Sequence, residues 1–331
     1  MKKYLLAIVA VAATLVSCQK NDNPTPEKKG VPMTLKASIN NDGTKVTYTP
    51  GATSGLKVDW EATENISILT INNSGEVQAL DNFTSTGAAG RSEATFTGTF
   101  TGGSDPYNVI AIYPALEEYT TGCFGTPEYT RYDGADTRLL WDMWPGGDDK
   151  YFASQLTELK QTADNGTTHL QNVLLMAGYV NKTDIKSNTL TVTLGNQLSI
   201  IKFDCTFDDA LKGQTLNSIV IQSKNSSDAN KAIFNRVGTA WDHSDLAGNP
   251  LHLGGGESRS DVTIYADFAV PASGKATLYL PVVFTNDNVT NDYWNITVRV
   301  NDTDRPVIKK TFTADKTYQR GKIYKVELAV N

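Results

Sequence analysis

Along most of the chain apolar residues recur at every second position, in short runs ended by Gly, Asn or Asp. This is the signature of β-strands with one dry and one wet face. In Thr189–Leu194, Leu190, Val192 and Leu194 share one face and threonines the other. Ile296, Val298 and Val300 alternate with Thr297, Arg299 and Asn301, and Tyr324, Val326, Leu328 and Val330 enclose Lys325 and Glu327. Half-wet strands of this kind belong to antiparallel sheets packed face to face, whereas strands of parallel sheets, covered on both faces, read as continuous apolar runs. In the first half the pattern predicts strands at Met33–Ile39, Lys45–Tyr48, Asn65–Ile71, Ala94–Thr101 and Asn108–Tyr113; the second half is denser in strands. Helical periodicity is weak except around Tyr151–Leu159. The expected fold class is all-β.

A chain of 331 residues exceeds the ~100–200 residues of one ordinary domain. A polar stretch, Asn181–Asn188, separates two strand-rich halves, so the expected division is 32–183 and 184–331. Within the first, after its strands, Leu116–Thr168 is rich in Gly and aromatics. Long connections inside compact domains are often functional.

The first residues are of another kind. Lys2 and Lys3 precede an apolar run, Leu5–Val16, too short to span a membrane comfortably and typical of an export signal over residues 1–17. Leu15-Val16-Ser17-Cys18 resembles the lipobox of bacterial lipoproteins. That resemblance implies that Cys18 is lipidated, palmitate included, and becomes the first mature residue on the outer membrane. Residues 18–31, polar and bearing Pro24 and Pro26, read as an extended tether. The net charge of −6, more negative once Lys2 and Lys3 are lost, and the lack of clustered Lys and Arg exclude nucleic acid as a partner. Cys123 and Cys205 either pair or remain free thiols.

Catalytic patterns are poor. His169, His243 and His252 have no metal-ligand spacing on one helix. Trp241–Asp245 holds the letters of a triad, but as neighbours, whereas a triad converges from separate elements. Gly254–Ser258 lacks the spacing of a nucleophile elbow. The expectation is no enzyme, no cofactor and no metal. A different signal lies in the long connection, where Tyr129, Tyr132, Trp141 and Trp144 are interleaved with Arg and Asp. They form either a stacking platform for sugar rings or the anchors of the connection to the sheet below.

Several pieces together resemble the fimbrillin-like lipoproteins of Bacteroides-type bacteria. They are the opening strand Met33–Ile39, the Trp-bearing segment Val58–Ile68, Ala111-Ile112-Tyr113-Pro114-Ala115, the Leu190–Phe207 segment similar to the strand pair that opens the family's second domain, and the closing Gly321–Leu328. The resemblance implies two transthyretin-like antiparallel β-sandwich domains in tandem. It also implies a role in surface fimbriae, with other fimbrial subunits as partners by donor-strand exchange and a host or bacterial surface glycan or protein as a further partner. In the family the opening strand is released by a cut after an arginine. The corresponding position here is Lys45, and the first arginine is Arg91. The family's stalk subunits carry an extension beyond the closing strand, and this chain stops at Asn331. The expected role is therefore a tip, anchor or accessory subunit, with a lipid-anchored surface glycan-binding protein as the alternative.

Overall fold

A computed structural model describes residues 30–39, 49–50, 56–57, 59–72, 77–87, 90–102, 107–113, 115, 137–142, 160–171, 175–180, 188–224, 233–234, 238–242, 251–253, 260–284 and 289–331. The leader, Cys18, Lys45, the predicted strand Lys45–Tyr48 and the helical turn at Tyr151–Leu159 lie outside the described residues.

The strands are β1 (Val31–Ile39), β2 (Thr49–Pro50), β3 (Leu56–Lys57), β4 (Thr63–Asn72), β5 (Val77–Thr86), β6 (Glu93–Phe100), β7 (Tyr107–Tyr113), β8 (Thr137–Asp142), β9 (Met176–Val180) and β10 (Thr189–Asn196). They continue as β11 (Ser199–Phe207), β12 (Thr215–Lys224), β13 (Gly238–Asp242), β14 (Leu251–Leu253), β15 (Asp261–Ala269), β16 (Lys275–Val282), β17 (Val289–Val300), β18 (Thr303–Asp304), β19 (Ile308–Tyr318) and β20 (Ile323–Val330). A single turn of helix, α1 (Thr168–Gln171), precedes β9. The all-β class holds.

The first sheet closes on itself in the order β1-β10-β9-β7-β4-β5-β6, with β6 returning to β1. The second unit has two sheets, β16-β11-β20 and β15-β12-β17-β18, with β19 added to β17. Small sheets β14-β13-β8 and β2-β3 complete the described residues.

Three features differ from the sequence expectation. The first unit is a closed barrel instead of an open sandwich. The sheets are not wholly antiparallel, because β1 pairs with β10 in parallel and β11 with β20 in parallel. Finally β10, beyond the expected division at 183/184, belongs by pairing to the first sheet, and the change of sheet falls between Asn196 and Ser199. The reason is common to all three. Alternation fixes which face of a strand is buried, not which strand lies beside it or in which direction. Parallel partners require long crossovers, and Ser38 meets Thr193 across 155 residues of sequence.

The two units share a seam. Ile66 and Ile68 of β4, with Val109, Ala111 and Tyr113 of β7, point into the barrel core. Leu69, Ile71, Ile110 and Ile112 point outward, into the core of the second unit. Being covered on both faces, β7 reads Val109-Ile110-Ala111-Ile112-Tyr113 as one apolar run. From the other side Ile200, Tyr279 and Ile323 join the barrel core.

Candidate functional site

Strand β1 is held on both edges. It pairs with β6 from Val31↔Phe100 to Ser38↔Glu93 and with β10 from Thr34↔Thr189 to Ile39↔Leu194. Met33, Leu35, Ala37 and Ile39 face inward and are buried, as the alternation predicts. Each large apolar side chain placed there contributes ~1.5–3 kcal/mol by leaving water. The strand enters close over β6: a Cβ on Gly30 would lie 2.0 Å from the Thr99 methyl, so a side chain there would require Thr99 to move. The outward positions Lys36 and Ser38 contribute little to the core; Ser38 Oγ lies 3.1 Å from Thr193 Oγ1.

Two of the motif residues meet beneath this strand. Trp60 sits edge-on to Tyr113 at 5.4 Å and to Phe96 at 5.2 Å between ring centroids. Trp60 is almost wholly buried, so this tryptophan is a packing residue of the barrel. Removing β1 from this arrangement would leave β6 and β10 with facing unpaired edges over a groove lined by Phe96, Leu190, Val192 and Leu194.

A second element stands at the seam. Segment 160–171, the described end of the long connection, crosses the outer edges of β15 and β16. The Gln161 backbone joins β15, its N–H donating to the Tyr265 carbonyl and its carbonyl accepting from the Asp267 N–H, each at 3.0 Å. The Gln161 side chain joins β16. Nε2 donates to the Thr277 carbonyl at 2.8 Å and to the Ala163 carbonyl at 2.7 Å, and Oε1 accepts from the Tyr279 N–H at 3.0 Å. One residue thus ties two sheets together. Around it the Thr277 N–H donates to Asp164 Oδ1 at 2.8 Å, the Asn165 N–H to the Thr277 carbonyl at 3.0 Å, and the Tyr279 hydroxyl to Asn165 Oδ1 at 2.5 Å. This strap occupies sheet edges that would otherwise offer free backbone groups.

His169 belongs to the strap and not to a catalytic set. It is buried, and its Nε2–H donates to the Tyr279 carbonyl at 2.7 Å. Burial holds its pKa below the ordinary value, against a smaller upward pull from that hydrogen bond. Cys205 is a free, buried thiol pushed up to about 12 by burial, with Asp204 and Asp164 adding to the effect, so it stays a neutral thiol. Cys123 and His243 lie outside the described residues. Among the described residues no group of three or more His, Cys, Asp or Glu could hold a metal, and no helix is long and apolar enough to cross a membrane.

Of the aromatic platform, Tyr129, Tyr132 and Trp144 lie outside the described residues. Trp141 is in β8, opposite Thr239 of β13. The sequence did flag the long connection, but not that its last residues close the second unit. Gln161 carries no local signal for this role, since its partners on β15 and β16 lie 104 to 118 positions further along the chain, Tyr265 being the nearest of them and Tyr279 the most distant.

No protein-family model matches this chain, and no curated protein matches it. Solved structures similar to it include a candidate cell adhesion protein from Bacteroides ovatus, 11% identical with a TM-score of 0.49 over 91% of this chain and 92% of that one. Another, from Bacteroides uniformis, is 14% identical with a TM-score of 0.43 over 91% and 94%. The fimbrial anchor protein Mfa2 from Porphyromonas gingivalis is 8% identical with a TM-score of 0.39 over 85% and 83%.

Proposed function

We propose that this chain is a structural or adhesive subunit of cell-surface fimbriae, a tip, anchor or accessory subunit, in which β1 is the strand exchanged between subunits. The observation that supports this reading most directly is the setting of β1. It is paired on both edges, buries its inward residues, and is the first described strand, so a cut beyond Ile39 leaves it held by non-covalent contacts alone. A strand from another subunit could then recover the same ladders and the same buried positions. Under this reading Cys18 carries the lipid at the outer membrane, and residues 18–31 form the tether. Lys45 takes the place of the processing arginine, so the cut that frees β1 falls to a protease that accepts lysine.

The test is strand exchange. The full chain is given a protease site between Ile39 and Thr49, cut while folded, and challenged with a labelled Val31–Ile39 peptide. Slow uptake of label by a folded barrel is expected. Unfolding upon cutting, or retention of a folded barrel that never takes up label, refutes the proposal. A surface glycan-binding role through Tyr129, Tyr132, Trp141 and Trp144 is the second reading, resting on the aromatic content of that segment. Loss of oligosaccharide binding in the Trp141→Ala, Trp144→Ala variant at unchanged thermal stability would support it.

A further inference from the structure

Strand β1 fills its place between β6 and β10 unevenly. Met33, Leu35 and Ile39 turn large side chains inward, and Ala37 a small one. Register sets Leu35 between Phe96 of β6 and Leu190 of β10, and Ala37 between Ala94 and Val192. The barrel wall is thus thick at Leu35 and thin at Ala37, where two alanines lie side by side. Protein interiors are close-packed, so some other side chain fills the space inside that row.

Trp60 is placed to be that side chain. Its N–H donates to the Arg91 carbonyl at 2.8 Å and its carbonyl accepts from the Gly90 N–H at 2.9 Å, which ties it to the chain just ahead of β6. Its ring meets Phe96, the next inward residue of β6 after Ala94, and Tyr113 of β7, three strands away round the barrel. Trp60 is therefore held on both sides of Ala94 along the chain. Beside it, β1 is anchored at the same end, the Ile39 N–H donating to the Ser92 carbonyl at 3.0 Å. Trp60, Ala37, Ala94 and Val192 belong to one core. The indole N–H has no hydrogen-bond partner among the described residues, so the ring is kept there by shape and not by a polar contact.

We infer that the Trp60 ring fills the space inside Ala37 and Ala94, and that the groove under β1 therefore accepts only donor strands with a small residue at the Ala37 position. Large apolar residues are required at the positions of Met33, Leu35 and Ile39. The inference rests on the strand-exchange reading of β1 and adds to it which strands qualify. The partner is an extended segment of another subunit whose alternate residues run large, large, small, large. A segment with four large ones, such as Tyr324, Val326, Leu328 and Val330, has the right period and the wrong shape.

The test uses the full chain cut between Ile39 and Thr49, with labelled Val31–Ile39 peptides. The native peptide and its Lys36→Leu variant, changed on the outward face, should enter alike. Ala37→Val adds two methyl groups inside and should bind about tenfold more weakly or worse, as overpacking predicts. A Trp60→Phe barrel, which loses no hydrogen bond, should recover most of that loss. In the uncut chain Ala37→Val should lower the denaturant midpoint, and by less than half as much beside Trp60→Phe. Equal uptake of the native and Ala37→Val peptides, or the same penalty for Ala37→Val in both backgrounds, overturns the inference. Uptake of no peptide is a failure of strand exchange itself and removes the donor rule with it, while the uncut chain still reports whether Trp60 fills the row at Ala37. Should Trp60→Phe not fold, the comparison of Ala37→Val with Lys36→Leu in the native barrel decides.

Discussion

Replacing Gln161 by alanine tests whether the strap holds the second unit closed. In the native structure Gln161 is almost fully buried and its side chain makes three hydrogen bonds, to Thr277, Ala163 and Tyr279. The consequences of truncation differ between these partners. The Thr277 carbonyl keeps the Asn165 N–H. The N–H of Tyr279, a residue 1% exposed, loses the partner that Gln161 Oε1 supplies. An orphaned buried donor costs ~1–3 kcal/mol, and each neutral hydrogen bond lost contributes ~0.5–1.5 kcal/mol. The expected destabilisation of the strap is about 2–4 kcal/mol. Since ~1.4 kcal/mol is a factor of ten, the Tyr279 amide should exchange with solvent deuterium roughly 30- to 1,000-fold faster. Exchange at Tyr279, followed by proteolysis and mass spectrometry, is the assay, with the Leu69 and Ile110 amides as reporters of the barrel side of the seam. Gln161→Glu should be worse, because a carboxylate would face the Thr277 and Ala163 carbonyls. An unchanged exchange rate at Tyr279 in Gln161→Ala would refute the argument that this side chain closes the edge of β16.

Three further outcomes are expected. Leu35→Ala should destabilise the barrel by ~2–5 kcal/mol, as for other buried leucines, while Lys36→Ala on the outer face stays within ~0.5 kcal/mol; denaturant melts of the two variants compare them directly. The lowered pKa of His169 means that the unfolded chain binds a proton that the folded chain refuses. Stability contributed by the neutral ring is therefore complete above its ordinary value of ~6.5 and is lost as pH falls below it, with a slope of at most ~1.4 kcal/mol per pH unit; His169→Gln should flatten the stability curve between pH 7 and 5. Gly178→Ala should lose stability by more than the ~1 kcal/mol of an ordinary strand change, because its Cβ would lie 2.3 Å from the Thr193 carbonyl oxygen, and thermal unfolding would show it.

Much of the chain was legible without a structure. The alternation in Met33–Ile39, Thr189–Leu194 and Tyr324–Val330 states which residues face a core, because side chains of a strand point to opposite faces whatever the strand pairs with. Burial agrees at Met33, Leu35, Ala37 and Ile39, at Leu190, Val192 and Leu194, and at Val326, Leu328 and Val330. The run Asn108–Tyr113 was legible as a strand, whereas its burial on both faces, which accounts for its continuous apolar sequence, came only from the tertiary structure.

What only the tertiary structure decided is neighbourhood. Pairing of β1 with β10, of β11 with β20, and of Gln161 with two sheet edges at once joins residues far apart in sequence through backbone groups that every residue carries. Such partners leave no local mark. By itself the sequence determined the buried face of each strand, a local property of period two; closure of the barrel and the strap depend on long-range register, which only the assembled chain specifies.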